Sequence, residues 1–539
     1  MAAPSYATDL TSILADMPSS TGWTLISSGG GGANSFTVPE TDDYIQGNNC
    51  ISRNPWSSSI RGMVYNSSQT FTSGQCLYIW WKADVAQSLA AEASGGVQIL
   101  IGSGTGDLDC FYVAGSDTYL IGGWRVAVID PTATPSTSIG TPSGTTSYFG
   151  VRWNVPSSGP SKGFPFKIDA FRRGRGTVTV TNGDSSTPAT WARLTTETDS
   201  GTNRYGMTQA TDTGATLAGV VSWGSASTSC YSRDSGKAIV LLDTKGFVPT
   251  DHTQVLIQNA STDLEWDNIS FLALDTANRG LLSISNNAKA WLTNCSFSGL
   301  NTIAGGGSNT KFDGSTFRSC NAVTSIGGSY LGTSVLTSTV AADASAFVWN
   351  TTTDTDGKVD GSTFSKGTNA HHAIEFSQYA ASYTLRDCVF TGFNASNGNN
   401  DSALYFPDTG SDRTWTVNLN GCTGDITYKK VRAGDTVTLV FDTRTLTIEV
   451  RDSAGALITD TTEITLVRTS DVTVLHHAED VTTGSTTYGY TYSSDTTCYV
   501  NVLSVVNYVP KTVEPVVLIN SDQTVTVQLE DERGRYSNP

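Results

Sequence analysis

The chain of 539 residues holds 53 Gly, 16 Pro, 15% charged and 38% hydrophobic residues, which excludes a collagen-like or compositionally disordered chain and predicts a large apolar core. A formal net charge of −17 lacks the cationic footprint that nucleic acid or an anionic membrane surface demands, so neither is expected as a partner. No stretch approaches the roughly 18 to 20 consecutive apolar residues of a membrane helix, so no membrane insertion is expected.

The start, Met1 to Tyr6, has no basic segment, and the run Asp9 to Met17 is too broken for a secretory apolar region. Synthesis is therefore expected in a reducing cytoplasm without a signal peptide. The nine cysteines are spread singly with no C-x-x-C pair, which predicts buried free thiols.

In chain order, residues 1–23 form a candidate attachment segment in which Tyr6 to Met17 is expected to be a short helix. A second short helix is expected over Val85 to Ala93. Elsewhere apolar residues recur with period two, the strand signature. Leu77 to Trp81, Val97 to Ile101, Trp124 to Ile129 and Thr177 to Val180 are β-branched and aromatic runs bounded by turn residues. They predict a β-sandwich of lectin or jelly-roll type across residues 24–234.

From about residue 235 a repeat emerges, anchored on Phe271, Phe297, Phe317, Phe364 and Phe390 and spaced by 26, 20, 47 and 26 residues. The 47 equals about two units, and a period in the low twenties is that of a solenoid coil. Five residues before each Phe stands a large apolar residue (Trp266, Leu292, Phe312, Val359, Leu385), and two before it a small or apolar one (Ile269, Cys295, Ser315, Ser362, Cys388). Three before it stand Asn268, Asn294, Gly314, Gly361 and Asp387, residue types that tolerate a left-handed backbone at a corner. Stacked coils would pile the phenylalanines into one buried column. Leu419 to Gly424 repeats the pattern with Gly in the Phe place. The expectation is a right-handed parallel β-helix over 235–435; ordinary antiparallel sandwich strands would also carry such hexads, but not several coincident columns.

After residue 440, alternating strands predict a small sandwich over 440–539. Its Val450-x-Asp452-x-x-Gly455-x-x-Ile458, then Tyr499-Val500-Asn501-Val502, then Tyr508-Val509-Pro510-Lys511 resemble the carboxypeptidase-regulatory or transthyretin-like module. That resemblance implies an immunoglobulin- or transthyretin-like binding or spacer domain without chemistry of its own. The fold class is thus all-β in three parts.

Chemistry is sparse. The pairs His371-His372 and His476-His477 would point to opposite faces of a strand, so no metal site is expected. Parallel sheets can hold two carboxylates about a glycosidic bond, and Asp354, Asp356 and Glu375 are the candidates for it. Carboxylates are also common on any acidic surface, and no spacing fixes a catalytic pair. Lys162, Lys167, Arg172, Arg173 and Arg175 concentrate positive charge in an acidic chain, as either a solvated loop or a docking patch for an acidic surface or anionic glycan.

A signal-free, Ser-, Thr- and Gly-rich all-β chain with a solenoid in its middle and a sandwich at its end resembles the structural proteins of tailed bacteriophages. The resemblance, of architecture and composition alone, implies a virion protein of the tail-fibre or tailspike kind, made in the host cytoplasm and working outside it after lysis. It further implies a homotrimer that contacts other virion proteins and attaches to a host-surface glycan or receptor, with no cofactor. A capsid or tail decoration protein is the alternative, and a polysaccharide depolymerase the third reading.

Overall fold

A computed structural model describes residues 3–14, 22–28, 37–40, 50–53, 60–83, 90–91, 94, 96–115, 124–154, 166–192, 198–199, 203–204, 208–211, 214–242, 247–249, 252–274, 280–285, 287–492, 495–504, 508–519 and 521–530. The chain is almost entirely β, with several parallel sheets in a solenoid- and sandwich-type architecture. It divides into two compact units, residues 1–351 with 367–371 and residues 352–366 with 372–539. Most of the Val85 to Ala93 segment lies outside the described residues.

The first unit contains two antiparallel sheets. One orders Arg125–Ile129, Cys76–Ala83, Phe166–Gly174, Cys50–Arg53 and Thr37–Glu40; the other orders Thr137–Ile139, Asp107–Ala114, Val97–Gly104, Tyr148–Asn154, Ile60–Asn66 and Trp23–Ser28. Alternate residues of both, including Ile79, Trp81, Ile99, Phe111, Trp153 and Ile168, share one buried cluster. At about 1.5–3 kcal/mol per fully buried large side chain, such a cluster is what holds two sheets face to face.

The segment expected to be helical over Tyr6 to Met17 instead provides two strands, Ser5–Thr8 and Thr11–Leu14. Ser5–Thr8 pairs antiparallel with Thr177–Thr181, and Thr11–Leu14 with Phe166–Gly174. The Asp9 carboxylate between them accepts the backbone N–H groups of Arg175 and Thr177 at 3.1 and 2.8 Å. The reason is an open sheet edge: the first strand of a parallel stack exposes unpaired backbone groups, and pairing them outweighs weak local helix preference.

That stack begins at Thr177–Thr181, well before residue 235. It continues in parallel through Val220–Trp223, Gln254–Ile257, Leu281–Ile284, Thr302–Gly305, Val323–Ser325 and Ser345–Trp349. A second parallel stack joins Gly214–Leu217, Ala238–Leu241, Ser270–Ala273, Ser296–Ser298, Thr316–Cys320 and Ser334–Ser338. A third joins Tyr231–Ser235, Asp263–Asp267, Lys289–Thr293 and Thr310–Lys311. From Gly214 to Lys311 the chain visits the second, first and third stacks in the same order on each turn and returns one strand further along; beyond Lys311 it continues in the first two.

Register explains the sequence columns. Phe271 pairs with Phe297 and Phe297 with Phe317, with ring centroids 5.1 and 5.0 Å apart and planes within 5° and 9°. Val335 pairs with Phe317 in the next turn, so the long gap in the repeat contains a turn with valine in the aromatic place. The corner residues Asn268, Asn294 and Gly314 have φ of 54°, 53° and 67°. At Gly314 a Cβ would lie 2.5 Å from Asn294 Oδ1; the amide of one corner occupies the space above the next, which therefore takes glycine.

The small-residue column also has a cause. The Cys295 thiol is shared between Thr293 O at 3.3 Å and Trp266 O at 3.7 Å, and the Ser315 hydroxyl donates to Leu292 O at 2.8 Å. Each donor caps a corner carbonyl of the preceding turn, a buried acceptor that is costly to leave unpaired.

In the second unit the same motif recurs. Phe364 pairs with Phe390 at 5.3 Å, with planes within 10°, and Gly361, Asp387 and Gly421 have φ of 69°, 52° and 69°. Cys388 and Cys422 donate to Val359 O and Leu385 O, both at 3.3 Å. His372–Phe376, Leu404–Phe406 and Tyr428–Lys430 form one parallel stack, and Ser382–Arg386, Thr414–Asn420 and Thr436–Phe441 another, running past residue 435. Two further sheets follow, Ser485–Thr491 with Thr443–Arg451 and Gln523–Gln528, and Val474–Val481 with Thr462–Arg468, Thr496–Ser504 and Lys511–Leu518. They enclose a core of Leu446, Ile448, Ile464, Val500 and Val527.

All nine cysteines are buried thiols outside any disulfide. Burial pushes the Cys230 and Cys295 thiols up to about 12, so neither is a thiolate nucleophile at neutral pH.

Candidate functional site

The cationic run does not form one exposed patch. Lys162 lies outside the described residues. Lys167 and Arg172 are only 8% and 1% exposed, and the Arg172 guanidinium carbon sits 5.7 Å from the centre of the Trp80 ring. The cause is coverage of the strand on both faces: Phe166, Ile168 and Phe171 belong to one buried cluster and Ala170, with Tyr78 and Trp80, to another. A β-bulge, where register with Cys76–Ala83 shifts between Asp169 and Arg172 and Ala170 has a φ of 50°, sets which of the two Arg172 meets. Arg173 donates to Thr70 O at 2.7 Å.

Of the four that are described, Arg175 alone is exposed, and it opens onto a groove. Its Nη2 donates to Ser73 O at 3.2 Å, and among the described residues no carboxylate pairs with its guanidinium. The groove, about 530 Å³, follows the outer face of the first parallel stack and is lined by Arg175, Thr177, Thr179, Ser222, His252 and Gln258, with Val220, Pro249 and Leu256 as apolar wall. A second hollow of about 450 Å³ shares Leu256 and Gln258 and continues to Ser283 and Ser285. Thr179, Ser222, Leu256 and Ser283 occupy one register column, so their positions repeat at the interstrand spacing of about 4.8 Å.

His252 is 8% exposed and its Nε2 lies 2.7 Å from Tyr78 Oη. The Tyr78 hydroxyl also lies 3.1 Å from Arg175 O, and His252 Nδ1 has no hydrogen-bond partner among the described residues. Burial pulls the imidazole down to about 4, against a smaller opposing effect of Asp130, which keeps the ring neutral at physiological pH.

The three candidate catalytic carboxylates are not gathered for acid–base work. Asp354 accepts Thr384 N–H at 2.6 Å and the Thr384 hydroxyl at 3.2 Å. Asp356 holds Arg386 Nε at 2.5 Å, and that bond keeps its carboxyl below the ordinary range, the reverse of what a general acid requires. Glu375 belongs to a different sheet, beside Tyr405. The histidine pairs bind separately: His476 Nε2 lies 3.1 Å from Thr486 Oγ1 and His477 Nε2 2.9 Å from Glu463 Oε1. His372 Nδ1 lies 2.7 Å from Ser402 O, and His371 Nε2 accepts Gly367 N–H at 2.8 Å.

The outer face of the third stack carries a charge grid that sequence reading missed. Arg233, Asp263, Lys289 and Glu265 close a ring of alternating charge at 3.0, 3.1, 2.5 and 3.2 Å. Trp291 beside it has the Lys289 and Lys311 ammonium groups 4.2 and 4.3 Å from its ring centre. The ring of charge is neutral and the indole already has cations over it, so this face serves its own sheet, each exposed pair being worth about 0–1 kcal/mol. Only the parallel register aligns these residues, which lie 24 to 32 positions apart.

No family model matches the chain, and no curated protein matches it. Among solved structures it is similar to the family 11 carbohydrate-binding module from Clostridium thermocellum, determined in complex with a beta-1,3-1,4-mixed-linked tetrasaccharide. The match has 13% identity and a TM-score of 0.20, covering 31% of this chain and 96% of that one. At that score the likeness carries no argument.

Proposed function

We propose that this chain is a structural protein of a tailed-phage virion, of the tail-fibre or tailspike kind, that attaches the particle to a host surface through a parallel β-helix. The observation that carries the proposal is the aromatic column in register, Phe271 on Phe297 on Phe317, at 5.1 and 5.0 Å. Such a column rigidifies a stack whose outer faces remain free for contact, and a stack of this kind does mechanical and adhesive work without needing catalytic groups. Homotrimeric association, in which chains cover one another's sheet edges, belongs to the same proposal.

Two measurements test it. Mass spectrometry of density-gradient-purified particles from lysed host cells should find the chain as a stoichiometric component, and sedimentation equilibrium of the isolated protein should return three copies. Absence from purified particles overturns the virion assignment; a monomer at micromolar concentration overturns the trimer.

A further inference from the structure

We infer that the groove along the first parallel stack binds a linear, hydroxyl-rich saccharide bearing a carboxylate, with the acid on Arg175 and sugar hydroxyls along the Thr179–Ser222–Ser283 side of the stack. The inference deepens the attachment reading and rests on it for where the ligand is met; the groove chemistry stands on the residues themselves.

Three independent features define the ligand. The first is charge. Arg175 is the exposed cation of the groove, its guanidinium has no carboxylate partner among the described residues, and its contact to Ser73 O engages Nη2. A guanidinium so placed selects a planar anion that takes two parallel N–H bonds, which a carboxylate does.

The second is the imidazole. His252 is more than nine-tenths buried and lines the groove. Its Nε2 is committed to the Tyr78 hydroxyl, and its Nδ1 has no hydrogen-bond partner among the described residues. A ring nitrogen in that position is met in either imidazole tautomer by a sugar hydroxyl, which both donates and accepts, whereas a carboxylate alone only accepts.

The third is the lining. Hydroxyls from Thr177, Thr179, Ser222, Ser283 and Ser285 and the carboxamide of Gln258 recur from one strand to the next, with Val220 and Leu256 between them. Alternating polar points and small apolar patches along one axis match a polymer that presents hydroxyl edges and C–H faces. A lipid tail or an aromatic ligand would find no continuous apolar wall. The Trp291 face is a weaker candidate, because its cations and carboxylates already satisfy one another.

The test is calorimetric titration of the full chain with tetragalacturonate and with its methyl ester, which keeps the hydroxyls and removes the charge. Wild-type protein is expected to bind the acid saturably and the ester at least about tenfold more weakly, the scale of one charge-assisted bidentate contact. Arg175→Gln should weaken the acid about tenfold and leave the ester unchanged. Gln258→Ala, which removes a side chain with no hydrogen bond to another described residue, should weaken both by a few-fold while the far-ultraviolet spectrum and melting temperature stay at wild-type values.

Absence of saturable binding to either probe overturns the inference, as does equal affinity for acid and ester. If Arg175→Gln does not fold, Gln258→Ala decides, and unchanged affinity there places the ligand elsewhere. Because these titrations use isolated protein, they are independent of whether particles contain the chain: a positive titration with particles lacking the protein retires the virion reading and keeps the groove.

Discussion

Phe297→Ala is the most direct perturbation of the architecture. The Phe297 ring is fully buried, lies 5.1 Å from Phe271 and 5.0 Å from Phe317 in near-parallel planes, and meets Phe312 edge-on at 5.6 Å and 69°. Truncating a buried Phe to Ala costs about 3–5 kcal/mol in lost transfer energy and residual cavity. Turns fixed on both sides by ladder hydrogen bonds cannot collapse into the void, so the upper half of that range is expected. Phe297→Leu retains most of the apolar volume and loses the ring pairing, at about 0.5–1.5 kcal/mol per aromatic pair. With two stacked neighbours, Phe271 and Phe317, it should therefore cost about 1–3 kcal/mol.

The assay is native-state hydrogen exchange resolved by segment, since a chain of several cooperative parts has no single unfolding free energy. Each turn touches only its neighbours, so protection should fall in Ser270–Ala273, Ser296–Ser298 and Thr316–Cys320. It should remain unchanged in Val97–Gly104 of the antiparallel sheets. A cost below about 1 kcal/mol for Phe297→Ala, or a loss spread equally to Val97–Gly104, would refute the account of the column as the stack's main apolar support.

Gly314→Ala should destabilise its turn by about 1–3 kcal/mol, because alanine must hold a φ of 67° and its Cβ meets Asn294 Oδ1; adding Asn294→Gly should recover part of the loss in the same exchange assay. Cys295→Ser should be near neutral and Cys295→Ala should cost about 1 kcal/mol or more, since the hydroxyl still donates to Trp266 O and the methyl does not; equal melting temperatures would argue against the capping role. His252 has a folded pKa of about 4, below the ordinary 6.5. The unfolded chain therefore binds the extra proton first, and stability present above pH 6.5 is lost as pH falls toward 4. The loss has an upper scale of about 3 kcal/mol. Urea midpoints measured from pH 7.5 to 4.5 should fall more steeply for wild type than for His252→Asn, and parallel curves would remove His252 from the explanation.

How far the sequence carries differs by element. The hexads specified the stack because every column answers a local demand that a single residue type meets: Asn, Asp or Gly where φ must be positive, Ser or Cys where a corner carbonyl needs a donor, Phe where coils must share a core. Those demands are set by backbone geometry and recur with each turn, so they leave a periodic trace. The N-terminal segment left none. Tyr6 to Leu14 has period enough for a short helix, and its strand state comes from the exposed edge of Thr177–Thr181, more than 160 residues away. The same holds for the cations: the strand that carries Lys167 and Arg172 is covered on both faces, while Arg175 beyond its end stays on the surface, and no count of charges along the chain can reveal what lies against a strand. The groove and the charge grid are likewise products of register, because Thr179, Ser222 and Ser283, or Arg233, Glu265 and Trp291, become neighbours only when parallel strands stack. Sequence alone determined what repeats from turn to turn; tertiary structure decided what depends on which distant strand lies alongside, because long-range pairing overrides local preference wherever an unpaired backbone edge would otherwise face water.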